Sequence, residues 1–168
     1  DKNPDRSGRV QQEVTYCNQI LDDLRHKLGD DVSIYFIEGN HDNRLQKYIW
    51  RHPELSDLNN LKLENILHLN ENNIIHIKVD HDYWKKDKGH LIIGDMIITH
   101  GDSRLNGSKG GKYAGYNTAI NYMENTIIGH VHRLSIKEHT TPIKSIVGVE
   151  SGCLCQIPGS ADWQNGFV

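Results

Sequence analysis

Four histidines and an asparagine stand where apolar runs end. Asn40 and His41 follow Val32-Ser33-Ile34-Tyr35-Phe36-Ile37-Glu38-Gly39, His100 follows Met96-Ile97-Ile98-Thr99, and His130 and His132 follow Thr126-Ile127-Ile128-Gly129. Imidazole nitrogen and amide oxygen are ligands suited to zinc, iron, manganese and nickel. Imidazole is also the side chain best placed to move protons near neutral pH. In an α/β sheet, ligands bind at the carboxyl ends of strands, where these residues fall. Any one of these stretches alone is equally a strand leaving through a polar turn. Three in order point to a metal site. His130 and His132 are two apart, so in extended backbone they would point to the same side.

Helices and strands must carry these side chains, and the spacing of apolar residues indicates where. Val10, Val14, Cys17, Ile20, Leu21, Leu24 and Leu28 recur at helical spacing, with Gly29 at the expected stop. A buried strand from Val32 follows, the rhythm of a parallel α/β layer. Leu45, Tyr48 and Ile49 predict a short helix ending before His52-Pro53, and Leu55 to Leu67 a second. Ile75, Ile77 and Val79 alternate as in a strand with one wet face. Leu91-Ile92-Ile93 and Met96-Ile97-Ile98 flank Gly94-Asp95, a hairpin signal. Gly101 to Gly115, rich in glycine and basic residues, reads as a flexible loop. Tyr116, Ala119, Ile120 and Met123 suggest a helix, and Thr126 to Ile128 a strand. Leu134 to Glu138 and Ile143 to Val149 form a second hairpin around Thr140-Thr141-Pro142. From Gly152 onward no periodicity appears.

With 168 residues, the chain fits one α/β domain spanning 1–168, long enough to bury a core. An apolar fraction of 36% beside 24% charged residues predicts a polar surface and long loops. A net charge of −3, with the signs interspersed, argues against a dedicated nucleic-acid surface. Three cysteines, an odd number, argue against a disulfide scaffold and fit a reducing, cytoplasmic location. No apolar run approaches the roughly 20 residues that span a bilayer. No secretory leader opens the chain. Its first residue is not methionine, which leaves a removed leader open.

Taken together, Gly39-Asn40-His41-Asp42, His100-Gly101 and Gly129-His130-Val131-His132 resemble the motifs of the calcineurin-like metallophosphoesterases. The loop from Gly101 to Gly115 and the ending Glu150-Ser151-Gly152-Cys153-Leu154-Cys155, with Trp163 and Gly166-Phe167, look closest to the phage and prophage branch. The resemblance implies a β-sandwich flanked by helices in four layers, αββα. It implies that Asn40, His100 and His130 hold one metal of a two-metal centre, and that His132 serves the other. His41 matches the histidine near the leaving group. Asp42 occupies a place that is not usually a ligand, and Arg44 is either a phosphate contact or a solvated helix-face residue. The implied activity is hydrolysis of a phosphomonoester or phosphodiester, with nucleotides and nucleic acids among the open substrates. Two divalent cations, manganese, iron, zinc or nickel, clamp a phosphoryl group and activate a bridging water for in-line attack. A protonated imidazole then helps the alkoxide leave.

The chain departs from that family at its start. Members carry Asp-x-His on a first strand and Gly-Asp-x-x-Asp on a second, and neither motif occurs here. The missing residues would supply the bridging carboxylate and most of the first metal's ligands. The expectation is therefore a fragment without its N-terminal strands. It would bind metal weakly, be impaired in catalysis, and self-associate through an open sheet edge.

Three other readings remain beside this one. Gly107-Ser108-Lys109-Gly110-Gly111-Lys112 resembles a P-loop, but it is one residue short and Tyr113 replaces the required Ser or Thr. Lys109 and Lys112 could instead meet a substrate phosphate. Cys153 and Cys155 with His130 and His132 would make a structural zinc module, although a one-residue gap between cysteines suits it poorly. Tyr113, Tyr116 and Tyr122 near the loop lysines would let a non-catalytic module stack nucleic-acid bases.

Overall fold

Helix α1 spans Arg9–Leu28 without a proline, and Arg25, His26 and Lys27 in its last turn meet the negative end of the helix dipole. Gly29 follows at φ +75°, its N–H donating to the Arg25 carbonyl at 2.9 Å, as expected for a glycine stop. The computed structural model describes residues 9–78, 89–102 and 111–154. The chain divides into two units, Asp1–Ile77 and Lys78–Val168.

In the first unit, β1 (Ile34–Ile37) pairs in parallel with β2 (Ile74–Ile77), Ile34 facing Ile74 and Ile37 facing Ile77. Alternation sends Ile34, Phe36 and Ile74 to a core completed by Leu67 and Leu69, with Leu21 of α1 packed against it. Between the strands come α2 (Asn43–Arg51), 3-10 turns at Pro53–Leu55 and Asn59–Leu61, and the short α3 (Leu63–Ile66). The single helix expected over Leu55 to Leu67 is thus replaced by turns. Local polar bonds explain the break: Ser56 Oγ donates to the Pro53 carbonyl and Asn65 Nδ2 to the Asn59 carbonyl, both at 2.7 Å.

Arg25 ties this unit together. Its side chain is buried and donates to four carbonyls: Asn72 at 2.7 Å, Gly29 at 2.6 Å, Val32 at 2.9 Å and Asn73 at 2.8 Å. One guanidinium therefore joins the end of α1, the entry to β1 and the turn before β2.

The second unit is built on a five-stranded mixed sheet. β3 (His90–Ile93) and β4 (Met96–Thr99) form the expected antiparallel hairpin, turning at Gly94, φ +60°. Helix α4 (Ala114–Tyr122) connects β4 to β5 (Asn125–Ile128), which lies parallel to β4. The left-handed Met123 ends α4, its N–H reaching the Ile120 carbonyl. β6 (Leu134–Thr140) and β7 (Ser145–Ser151) make the second hairpin, and β7 pairs in parallel with β5. The architecture is mixed α/β. No helix among the described residues is long and apolar enough to cross a membrane.

Candidate metal centre

Parallel pairing of β4 and β5 brings two histidines to one place. Thr99 lies opposite Ile128, so the next residues leave the sheet at the same level. The ladder continues one step further, since the His100 carbonyl accepts the N–H of Gly129 at 3.2 Å and of His130 at 2.8 Å. Gly101 then turns away at φ +92°, where a Cβ would stand 2.8 Å from Cβ of the fully buried Ile128. Only glycine lets the chain pass there. As a result His130 Nδ1 lies 3.1 Å from His100 Nε2, with ring centroids 5.0 Å apart and ring planes at 75°.

That separation suits two arrangements. Neutral rings hold it when one N–H donates to the other ring's lone pair. Two cis ligands on one cation also hold it, because metal–nitrogen bonds of about 2.1 Å place the nitrogens roughly 3.0–3.4 Å apart. The two half-buried imidazoles therefore fit part of a cation's donor set. Among the described residues, no group of three or more His, Cys, Asp or Glu side chains is arranged to hold a metal ion.

His132 is delivered differently from the extended-strand expectation. Residues 130 and 131 form a turn, and His132 takes φ +57°, unusual for a residue with a Cβ. Val131 is 6% exposed and joins a core cluster with Ala114 and Ile128. Burying it bends the chain between the two histidines. The loop is then pinned beyond His132. Arg133 Nε donates to Glu150 Oε2 at 3.2 Å, an Arg133 Nη2–H to the Gly111 carbonyl at 2.7 Å, and Gly152 N–H to the Arg133 carbonyl at 2.8 Å.

Glu150 is 1% exposed, and the N–H of Gly115 donates to its other oxygen at 3.1 Å. Burial alone would raise its pKa. Hydrogen bonds from Arg133, Gly115 and Ser135, with the Arg133 charge, outweigh burial and hold the carboxyl below its ordinary value of 4.5. Neither Arg133 nor Glu150 was marked as a positioning residue by the motifs. The available signal was Glu150 sharing a strand face with Ile146 and Gly148, a carboxylate in a buried register.

In the first unit, the turn after β1 carries Asn40 and His41. Glu38 N–H continues the ladder to the Ile77 carbonyl at 3.1 Å, and Asp42 Oδ2 accepts the Gly39 N–H at 2.7 Å. Asp42 therefore closes the turn. Asn40 is half-buried and His41 exposed, and Arg44 donates from Nη2 to His41 Nε2 at 3.2 Å.

Behind this turn lies a cluster the motifs did not indicate. His76 is 8% exposed, with Glu38 Oε1 2.9 Å from Nε2 and Glu64 Oε2 3.7 Å from Nδ1. The Glu64 contact is too long for a hydrogen bond and the Glu38 contact lies off the hydrogen-bonding direction, so the two carboxylates flank the ring without bonding to it. The pattern Ile74-Ile75-His76-Ile77 held the signal, a histidine on the core-facing side of a strand.

Among residues of the other readings, Cys153 is a half-buried free thiol, and Tyr113 receives the ammonium of Lys137 at 4.2 Å and of Lys112 at 5.5 Å. Tyr116 Oη is bonded to His139 Nδ1 at 3.0 Å. Gly107, Ser108, Lys109, Gly110, Cys155, Trp163, Gly166 and Phe167 lie outside the described residues. A groove of about 550 Å³ along α1, lined by Asn18, Asn60, Asn65 and His68 among others, contains none of the predicted site residues. Compared with models of known protein families, with curated proteins and with solved structures, the chain matches none.

Proposed function

We propose that this chain derives from a metal-dependent phosphoester hydrolase of the calcineurin-like kind, with the four-layer αββα architecture and a two-cation centre. The observation that carries the reading is the 3.1 Å approach of His130 Nδ1 to His100 Nε2 at the carboxyl ends of adjacent parallel strands. His100 and His130 would hold one divalent cation between their facing ring nitrogens. Asn40 keeps the ligand role for that ion, and His132 the role for the second, that the sequence resemblance implies. When bound, the cations polarise the phosphoryl group and supply the nucleophile.

The residues of the chain do the rest. The resemblance implies that His41 would serve the leaving group, and its Nε2 accepts from Arg44 in the resting state. It must therefore gain a proton on Nε2 before it can give one to a departing oxygen there. Arg44, freed from His41, suits bidentate contact with phosphate oxygens. The substrate is a phosphate ester, with nucleotides and nucleic-acid backbones in the same chemical class.

Manganese titration followed by electron paramagnetic resonance tests this reading. His100→Ala and His130→Ala should each weaken manganese binding at least about tenfold, the loss of one imidazole ligand. Asn40→Ala should also weaken it. Unchanged affinity in both histidine variants would remove the metal reading. With no Asp-x-His or Gly-Asp-x-x-Asp in its sequence, the chain should hydrolyse an aryl phosphate slowly even with added manganese. Vigorous turnover would contradict the impaired centre.

A further inference from the structure

The apolar stripe of α1 is only partly used by the first unit. Val14 and Leu21 turn inward beside Asn18 and the buried Arg25, whereas Val10, Ile20, Leu24 and Leu28 remain 72%, 49%, 38% and 44% exposed, and Cys17 is exposed as well. These five residues share one side of the helix, since Val10, Cys17 and Leu24 are seven apart and Ile20 and Leu28 fall between and beyond them at helical spacing. Glu13 lies on the same side near the amino end, and Lys27 near the carboxyl end. A helix of this length offers a seam of about 30 Å.

We propose that this face is a homodimer interface in which α1 packs antiparallel against α1 of a second copy, around a two-fold axis passing near Ile20. Self-complementarity selects that partner. With Ile20 opposite its counterpart, each Glu13 comes beside the other copy's Lys27, and the stripe of one helix covers that of the other. Parallel packing would instead set Glu13 against Glu13 and Lys27 against Lys27. Two-fold pairing buries the same patch on both copies, so a single sequence closes the assembly. A single helix pair is a small interface beside the roughly 800 Å² per partner of a standard stable one, so the dimer should dissociate on dilution.

Sedimentation equilibrium across a concentration series tests the proposal, with circular dichroism confirming that each variant is folded. The wild-type chain should form a concentration-dependent dimer. Ile20→Asp should abolish it, and both Glu13→Lys and Lys27→Glu should weaken it, whereas the double variant Glu13→Lys, Lys27→Glu should recover it. In a background with all three cysteines changed to serine, Ile20→Cys should give a disulfide-linked dimer on mild oxidation. A chain that stays monomeric throughout would overturn the proposal. So would a dimer indifferent to Ile20→Asp and to the charge exchange.

Discussion

Gly148 of β7 lies against the backbone of Gly115 in α4 so closely that a Cβ at position 148 would stand 2.5 Å from the Gly115 carbonyl carbon. A Cβ on Gly115 would in turn meet Glu150 Cγ at 2.9 Å. Helix and strand therefore touch backbone to backbone, and this contact brings the Gly115 N–H to the Glu150 carboxylate. Packing and the anchoring of the loop after His132 are one arrangement.

Gly148→Ala should consequently destabilise the second unit by about 1–3 kcal/mol, the usual cost of overpacking. Urea denaturation measures it. Gly94→Asn is the control: Gly94 has φ +60° with open space around its Cβ position, and asparagine tolerates that conformation. Its stability should change little.

Glu150 links this arrangement to pH. Its carboxyl titrates lower in the folded chain than its ordinary 4.5, so the folded state favours the ionised form. The resulting stabilisation is complete above the unfolded value and is lost as pH falls through the folded one. Thermal melts from pH 7 downward should show Glu150→Gln losing less stability than wild type below about pH 4.5. At pH 7, Arg133→Met should cost about 3 kcal/mol, because it leaves a buried carboxylate without its cation.

Arg25 is a purely structural prediction. Its guanidinium serves four carbonyls, and an apolar substitute would leave those oxygens short of donors. Arg25→Leu should cost about 3 kcal/mol or more. The loss should appear as faster hydrogen exchange at the β1 and β2 amides.

The His76 ring stands between two carboxylates, Glu38 Oε1 2.9 Å from Nε2 and Glu64 Oε2 3.7 Å from Nδ1. His76→Leu should destabilise the first unit by about 3 kcal/mol, since Glu38 and Glu64, with side chains 13% and 23% exposed, would lose the ring between them. Adding Glu38→Gln and Glu64→Gln should recover much of that loss if the charges are its cause. A triple variant as unstable as His76→Leu would assign the loss to packing of the ring against Phe36, 5.7 Å away.

Local pattern carried much of the fold. Helix spacing and Gly29 marked α1, continuous apolar runs marked most strands and alternation marked β2, and Gly94-Asp95 marked a hairpin, because these signals act between residues close in sequence. Leu55 to Leu67 misled because the apolar spacing was helical while its Ser and Asn side chains bonded back onto the chain. His130 and His132 misled for a different reason. Extended geometry holds only while the strand lasts, and burial of Val131 ended it.

By itself the sequence determined which side chains arrive at strand ends, because an apolar run followed by glycine and histidine is a local fact. It also held the heptad spacing of α1, though not which part of that stripe the core would use. The tertiary structure alone decided that β4 and β5 are parallel neighbours, which sets His100 beside His130 across 30 positions of chain. It alone set Arg133 against Glu150 and Glu38 against His76. Such pairings depend on which strands adjoin and in what register. Packing of the whole core settles that choice, and no short stretch of residues encodes it.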